Sequence, residues 1–147
     1  MKQSQTISIL PTDPGANRVL VVDDDLSQRM MLVRMLRKAD YFCAGAMSTE
    51  EARNQLKEGS FGMVVTDLRM FAEDGIELVR HIADRYPNSY SIVVSGFVSE
   101  GDADRVRRAG AFDLLRKPIE RAAFLETIER AFAHRMGTVA LRRHQAH

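Results

Sequence analysis

The chain of 147 residues has a single cysteine, Cys43. That excludes an intramolecular disulfide framework and a cysteine-built zinc cluster, and it fits a reducing compartment. Long hydrophobic runs are missing too. None approaches the roughly 18 residues of a membrane span, and the N-terminal stretch has only Ile7, Ile9 and Leu10 where a signal peptide needs a continuous apolar segment. Charge of one sign is also lacking, with 21 basic against 20 acidic side chains, so there is no global electrostatic case for nucleic acid or an anionic membrane. A mild basic excess beyond residue 100 reads as solvated surface. The expectation is a cytoplasmic protein with no membrane and no direct nucleic-acid contact.

Apolar residues are plentiful: 45% of the chain is hydrophobic and 28% charged, ordinary globular usage and too apolar for general disorder. The length suits one domain. Residues 1–16 are polar, contain Pro11, Pro14 and Gly15, and read as a flexible leader; residues 17–135 read as the folded unit. Residues 136–147 carry no apolar stripe and read as a short tail, with no output domain.

Within the folded unit, short apolar runs at 19–22, 41–44, 63–66, 91–94 and 112–115 alternate with amphipathic stretches. Most are continuous rather than alternating, as expected of parallel strands covered on both faces. Leu32, Met35, Leu36 and Ala39 repeat at helical spacing, as do Val79, Ile82, Ala83 and Tyr86. Ser48 with Glu51 and Ser99 with Asp102 match the capping-box spacing and start the second and fourth helices; Gly110 is placed to end the fourth. A last helix spans about 119–134, with Pro118 at its entry and Leu125, Ile128 and Phe132 turned inward. Right-handed crossovers make this (βα)5 pattern an α/β fold with a doubly wound five-stranded parallel sheet.

Ligands of such sheets bind beyond the carboxyl ends of the strands. There the chain places Asp23, Asp24 and Asp25 after the first strand, Asp67 after the third, Ser95 and Gly96 after the fourth, and Lys117 with Pro118 after the fifth. Clustered carboxylates repel unless a cation or a proton relieves them. Mg²⁺, which prefers one or two carboxylates plus phosphate oxygens and water, suits this rim better than a closed protein cage would. Phosphoryl transfer needs an in-line nucleophile and positive groups on the equatorial oxygens. Asp67 can serve as the nucleophile, the metal and Lys117 as charge clamps, and Ser95 as a hydrogen-bond donor. Each residue alone is ambiguous, and an acidic run after a strand is often only a helix start. Their joint placement at neighbouring strand ends is what points to a site.

The stretches VLVVDDD (19–25), VVTDLRM (64–70) followed by Asp74 and Gly75, IVVSG (92–96) and AGAFDLLRKP (109–118) resemble the receiver domain of bacterial two-component response regulators. The resemblance covers residues 17–135. It implies a flavodoxin-like strand order of 2-1-3-4-5, with Asp67 accepting a phosphoryl group from a histidine kinase or histidine phosphotransfer protein. It further implies that Mg²⁺, with Mn²⁺ able to substitute, is held by Asp23, Asp24, Asp67 and the backbone carbonyl of Arg69. Ser95 and Lys117 would bind the phosphoryl group. Output would pass to a downstream protein through the face of the fourth helix, fifth strand and fifth helix, where Arg105, Arg107 and Arg108 lie, and a phosphorylation-linked homodimer is admitted. The chain would then be a phosphoacceptor with self-catalysed transfer and autodephosphorylation, not an enzyme. Two positions depart from the family pattern: Phe71 replaces the usual proline after the methionine of the third-strand loop, and Leu114 stands where an aromatic is common.

Three other readings compete. A haloacid-dehalogenase-like phosphatase also begins with a strand and a D-x-D pair, which Asp23 and Asp25 satisfy, but nothing convincing after Lys117 supplies its further acidic pair. A flavin-binding domain would need a hydroxyl- and glycine-rich loop where three aspartates stand. A receiver-like module that binds proteins without phosphorylation has no need of the full Asp, Ser and Lys set.

Overall fold

Continuous apolar strands need cover on both faces, and the computed structural model, which describes residues 13–70 and 74–145, with side chains to Arg142, provides it. Five parallel strands, β1 (Arg18–Val22), β2 (Phe42–Ala46), β3 (Met63–Asp67), β4 (Tyr90–Ser95) and β5 (Asp113–Arg116), pair in the order β2-β1-β3-β4-β5. Helices α1 (Leu26–Lys38), α2 (Thr49–Glu58), α3 (Gly75–Arg85), α4 (Asp102–Ala109) and α5 (Arg121–Gln145) alternate with them. Successive strand side chains point to opposite faces. Val19, Val21, Met63, Val65, Ile92 and Val94 therefore pack with Leu32, Val33 and Leu36 of α1 and Phe124, Ile128 and Ala131 of α5. The opposite face divides in two. Leu20, Val22 and Val64 meet Ala52 and Leu56 of α2 and Leu78 and Ile82 of α3, while Val93 meets Val79 of α3 and Val106 of α4.

Local chemistry sets the helix ends. Ser48 caps α2: its Oγ accepts from the Glu51 amide at 3.1 Å, while Glu51 Oε1 reaches back to the Met47 amide at 2.8 Å, one residue earlier than in an ideal capping box. Ser48→Ala should therefore lower the unfolding free energy by about 1 kcal/mol, read as a reduced urea midpoint with an unchanged slope. Gly110 ends α4 at φ 114°, a left-handed conformation that a side chain would strain.

Three expectations are corrected. Ser99 does not cap α4, because the N-cap is Gly101 and the bonding runs the other way, from the Ser99 amide and hydroxyl to the Asp102 carboxylate. Second, α5 begins at Arg121, so Pro118, whose peptide bond with Lys117 is cis, lies in the turn before it. Third, α5 runs on through Gln145, across most of the segment read as a tail. Its buried stripe is Phe124, Ile128, Ala131, Arg135 and Val139, with Leu125 and Phe132 flanking it half-buried.

Arg135 hides that stripe in the sequence. The Asp13 carboxylate accepts from its guanidinium at 2.7 and 2.8 Å, and the Asn88 carbonyl accepts from its Nε at 2.5 Å, so a buried charge is paired where an apolar residue would be expected. The same contact pins residues 13–16 of the expected leader against the fold, and the Gly15 carbonyl accepts from the Arg18 amide. Residues 1–12 and 146–147 lie outside the described residues.

Candidate functional site

Strand register brings the acids together. Val22 of β1 lies beside Thr66 of β3, so Asp23 and Asp67 emerge side by side at the point where the strand order reverses. Ser95 pairs with Arg116, which puts Lys117 one step further along the same edge. The Lys117 ammonium donates to Asp23 Oδ2 and Asp67 Oδ2, both at 3.3 Å. All three side chains are sheltered, at 17%, 2% and 12% exposure. Carboxylate oxygens of Asp23, Asp24 and Asp67 lie within 4.8 Å of one another.

One ammonium does not balance this pocket. Burial raises the Asp23 carboxyl above its ordinary range, and the charge of Asp67 pushes the same way, against the Asp25 amide and Lys117. Burial also pulls Lys117 down, but the two carboxylates outweigh it and its ammonium is held above the usual value. A divalent cation on oxygen ligands fits such a site: the donors are hard, one of the three acids is exposed, and negative charge is in excess.

The fold therefore makes the Asp23 charge less favourable than it is in the unfolded chain. The contribution of the protonated group to stability is present below the unfolded pKa and is lost as pH rises through the folded value, so at neutral pH the charged group opposes folding. Asp23→Asn removes that charge while Lys117 stays paired with Asp67, and it should raise the urea midpoint in EDTA. Most of the Mg²⁺-dependent rise in the unfolding midpoint should be lost in the same variant.

The remaining residues divide. Asp25 belongs to the helix rather than to the acid cluster, its Oδ1 accepting from the Gln28 amide at 3.1 Å as the cap of α1. That removes the second carboxylate which the haloacid-dehalogenase-like reading requires. The Arg69 amide donates to Asp67 Oδ1 at 3.3 Å, bringing its backbone to the acceptor. Ser95 ends β4 at the rim, but its buried hydroxyl donates to the Phe97 carbonyl at 2.8 Å and accepts from the Phe97 amide at 3.3 Å, so it is not on Asp67. Leu114 packs half-buried against the cluster of Val93 and Val106. Phe71 lies outside the described residues.

Gly75 is required for a different reason: a Cβ there would run into the Asp67 carbonyl, and its amide donates to the Leu68 carbonyl at 2.8 Å. Asp74 caps α3 through the Ile76 amide at 2.7 Å, which accounts for the Asp-Gly pair after the third strand. Two partners escaped sequence reasoning. Arg29 donates to the Asp23 carbonyl at 2.6 Å, and Asp102 holds the Arg69 guanidinium at 3.0 Å. Arg29 had a weak signal, one turn into the helix after the acids; Asp102 had none beyond its spacing from Ser99.

Fold and pocket together define a doubly wound α/β module with a carboxylate–ammonium pocket at its switch point. The response regulator receiver domain model matches residues 19–129, and the chain belongs to that family. It is 37% identical over 126 residues to the transcriptional regulatory protein ZraR of Salmonella typhimurium (strain LT2), covering 86% of this chain but only 29% of that one. A response regulator receiver protein from Pseudomonas putida superposes with a TM-score of 0.74 at 35% identity, over 82% of this chain and 99% of the other. The beryllofluoride-activated NtrC4 receiver domain dimer gives 0.77 at 34% identity, over 81% and 98%. Among the described residues, no helix is long and apolar enough to cross a membrane.

Proposed function

We propose that the chain is a phosphorylation-controlled switch in which Asp67 is the phosphoryl acceptor. The observation that carries this reading is Lys117 bridging Asp23 and Asp67 beside a metal-capable group of three acids. A carboxylate oxygen of Asp67 attacks phosphorus, the P–N bond of a phosphohistidine breaks, and the imidazole leaves with its electron pair. Lys117 neutralises charge on the phosphoryl oxygens, and Ser95 swings its hydroxyl from the Phe97 carbonyl to donate to one of them. Asp23, Asp24, Asp67 and the Arg69 carbonyl would hold Mg²⁺ or Mn²⁺. The ion would supply further positive charge at the equatorial oxygens.

The donor is a histidine kinase or a histidine phosphotransfer protein. Leu26 and Met30 on α1, Met47 after β2 and Phe97 after β4 are exposed and follow the carboxyl ends of their strands, giving such a partner an apolar rim around the acids. Output passes through α4, β5 and α5 to a downstream protein, and the activated dimer recorded for NtrC4 is a precedent for phosphorylation-linked pairing here. The setting is cytoplasmic. The test is incubation with a labelled small phosphodonor: stoichiometric, Mg²⁺-dependent labelling supports the reading. Continuous turnover of a phosphomonoester would replace it with that of a phosphatase.

A further inference from the structure

Asp102 is the first residue of α4 and only 1% exposed, yet its carboxylate serves four donors. Oδ2 accepts from the Ser99 amide at 2.7 Å, the Ser99 hydroxyl at 2.8 Å and the Arg69 guanidinium at 3.0 Å, and Oδ1 accepts from Arg105 at 3.1 Å. The Ser99 bonds, backbone first, and then the two guanidiniums hold its carboxyl below the usual carboxylate range. Arg69 is anchored at both ends. Its backbone amide is on Asp67, while its guanidinium lies on Asp102 and 5.5 Å over the Phe97 ring. One residue therefore spans the acceptor and the start of α4.

We propose that Asp102 is a positioning residue that holds the Arg69 guanidinium away from Asp67 in the unphosphorylated chain. It yields that guanidinium to the phosphoryl oxygens on phosphorylation, so that the start of α4 follows the state of Asp67. This rests on Asp67 being the acceptor.

A phosphoryl group brings nearly two negative charges and three acceptor oxygens to the carboxylate already bonded to the Arg69 backbone. A planar guanidinium fork matches that geometry better than a single shared carboxylate oxygen does. Release is reversible because Asp102 keeps three other donors when Arg69 departs. Helix α4 is suited to respond. It has eight residues, its N-cap Gly101 contributes no side-chain bond, and its buried apolar side chains are Val106 and Ala109 alone. Arg105 extends the network from Asp102 toward Asp74, 3.9 Å away at the cap of α3.

The experiment follows the Arg69 Nε–H signal and the backbone amides by ¹⁵N NMR, on the full chain with Mg²⁺, with and without beryllofluoride as the phosphoryl mimic. Arg69→Lys assigns the guanidinium signal. On saturation, the Arg69 signal and the Ser99 and Asp102 amides should shift together, alongside Lys117 as the reporter of the adduct. In Asp102→Asn the Arg69 signal should already be displaced without the mimic, and the mimic should bind about threefold more tightly because less competition is left to overcome. Because Asp102→Asn also disturbs the start of α4, Arg69→Gln provides the second arm. At adduct saturation, with Lys117 shifted, its α4 amides should stay still. An Arg69 signal that does not move while Lys117 does would overturn the relay and leave Asp67 as acceptor. No shift at Lys117 in any form would overturn the acceptor assignment, and the relay with it.

Discussion

Asp67→Asn should take up no phosphate, whereas the parent chain should be labelled stoichiometrically by a small phosphodonor with Mg²⁺ present, in an acid-stable, base-labile form. The substitution removes the nucleophilic carboxylate. Asparagine has the shape of aspartate but a single acceptor oxygen, so it keeps one of two bonds, that from the Lys117 ammonium, now 3.3 Å from Asp67 Oδ2, or that from the Arg69 amide on Oδ1. Its neutral amide oxygen is too poor a nucleophile to attack phosphorus. One of the three metal-capable acids is lost as well, so Mg²⁺ affinity should fall in parallel. Circular dichroism and the urea midpoint would show that the variant is folded. Labelling undiminished in a folded Asp67→Asn chain would remove Asp67 as the nucleophile. Loss of label in Asp24→Asn that excess Mg²⁺ restores would assign Asp24 to the metal.

The central strands were legible because burial on both faces leaves continuous apolar runs, 19–22 in β1 and 63–65 in β3. The site acids were legible for a related reason. In a parallel sheet, whatever follows each strand lands on one edge, so Asp23, Asp67 and Lys117 could be brought together from order along the chain alone. Long-range partnership leaves no such trace. Arg69 and Asp102 are 33 positions apart, and each by itself resembles a solvated charge or a helix cap.

The end of α5 failed for the opposite reason. Arg135 sits at an apolar position of the stripe, and only its pairing with Asp13, 122 residues earlier, makes burial tolerable. Nor could spacing reveal direction. Ser99 and Asp102 are the right distance apart for a capping box, but the backbone turns at Gly101, so the carboxylate, not the hydroxyl, receives the bonds. The roles of these groups in chemistry rest on reactivity, which neither order nor distance supplies.

The aspartyl phosphate should be long-lived, and Arg69→Asn combined with Phe97→Glu should shorten its lifetime roughly tenfold, the factor that corresponds to about 1.4 kcal/mol of barrier. Hydrolysis needs a water in line with the P–O bond to Asp67, held by an acceptor that draws on its proton. The residues two beyond Asp67 and two beyond Ser95 are Arg69 and Phe97, which lie against one another at 5.5 Å in the unphosphorylated chain. A phenyl ring offers the water no acceptor, and a guanidinium has five donors and no lone pair to orient a nucleophile. The pair thus presents the water with a surface that neither binds nor activates it. Carboxylate and amide side chains in the same places supply acceptors and break that contact. The measurement is the decay of labelled protein after removal of the donor, at fixed Mg²⁺, with each single variant run beside the double. If the two singles each contribute part of the acceleration, the effect lies in the missing acceptors; if either alone gives all of it, the two side chains act as one barrier to water. Decay unchanged or slowed in the double variant would show that neither side chain gates the water. The lifetime would then be set by groups closer to phosphorus, Lys117 and the Ser95 hydroxyl.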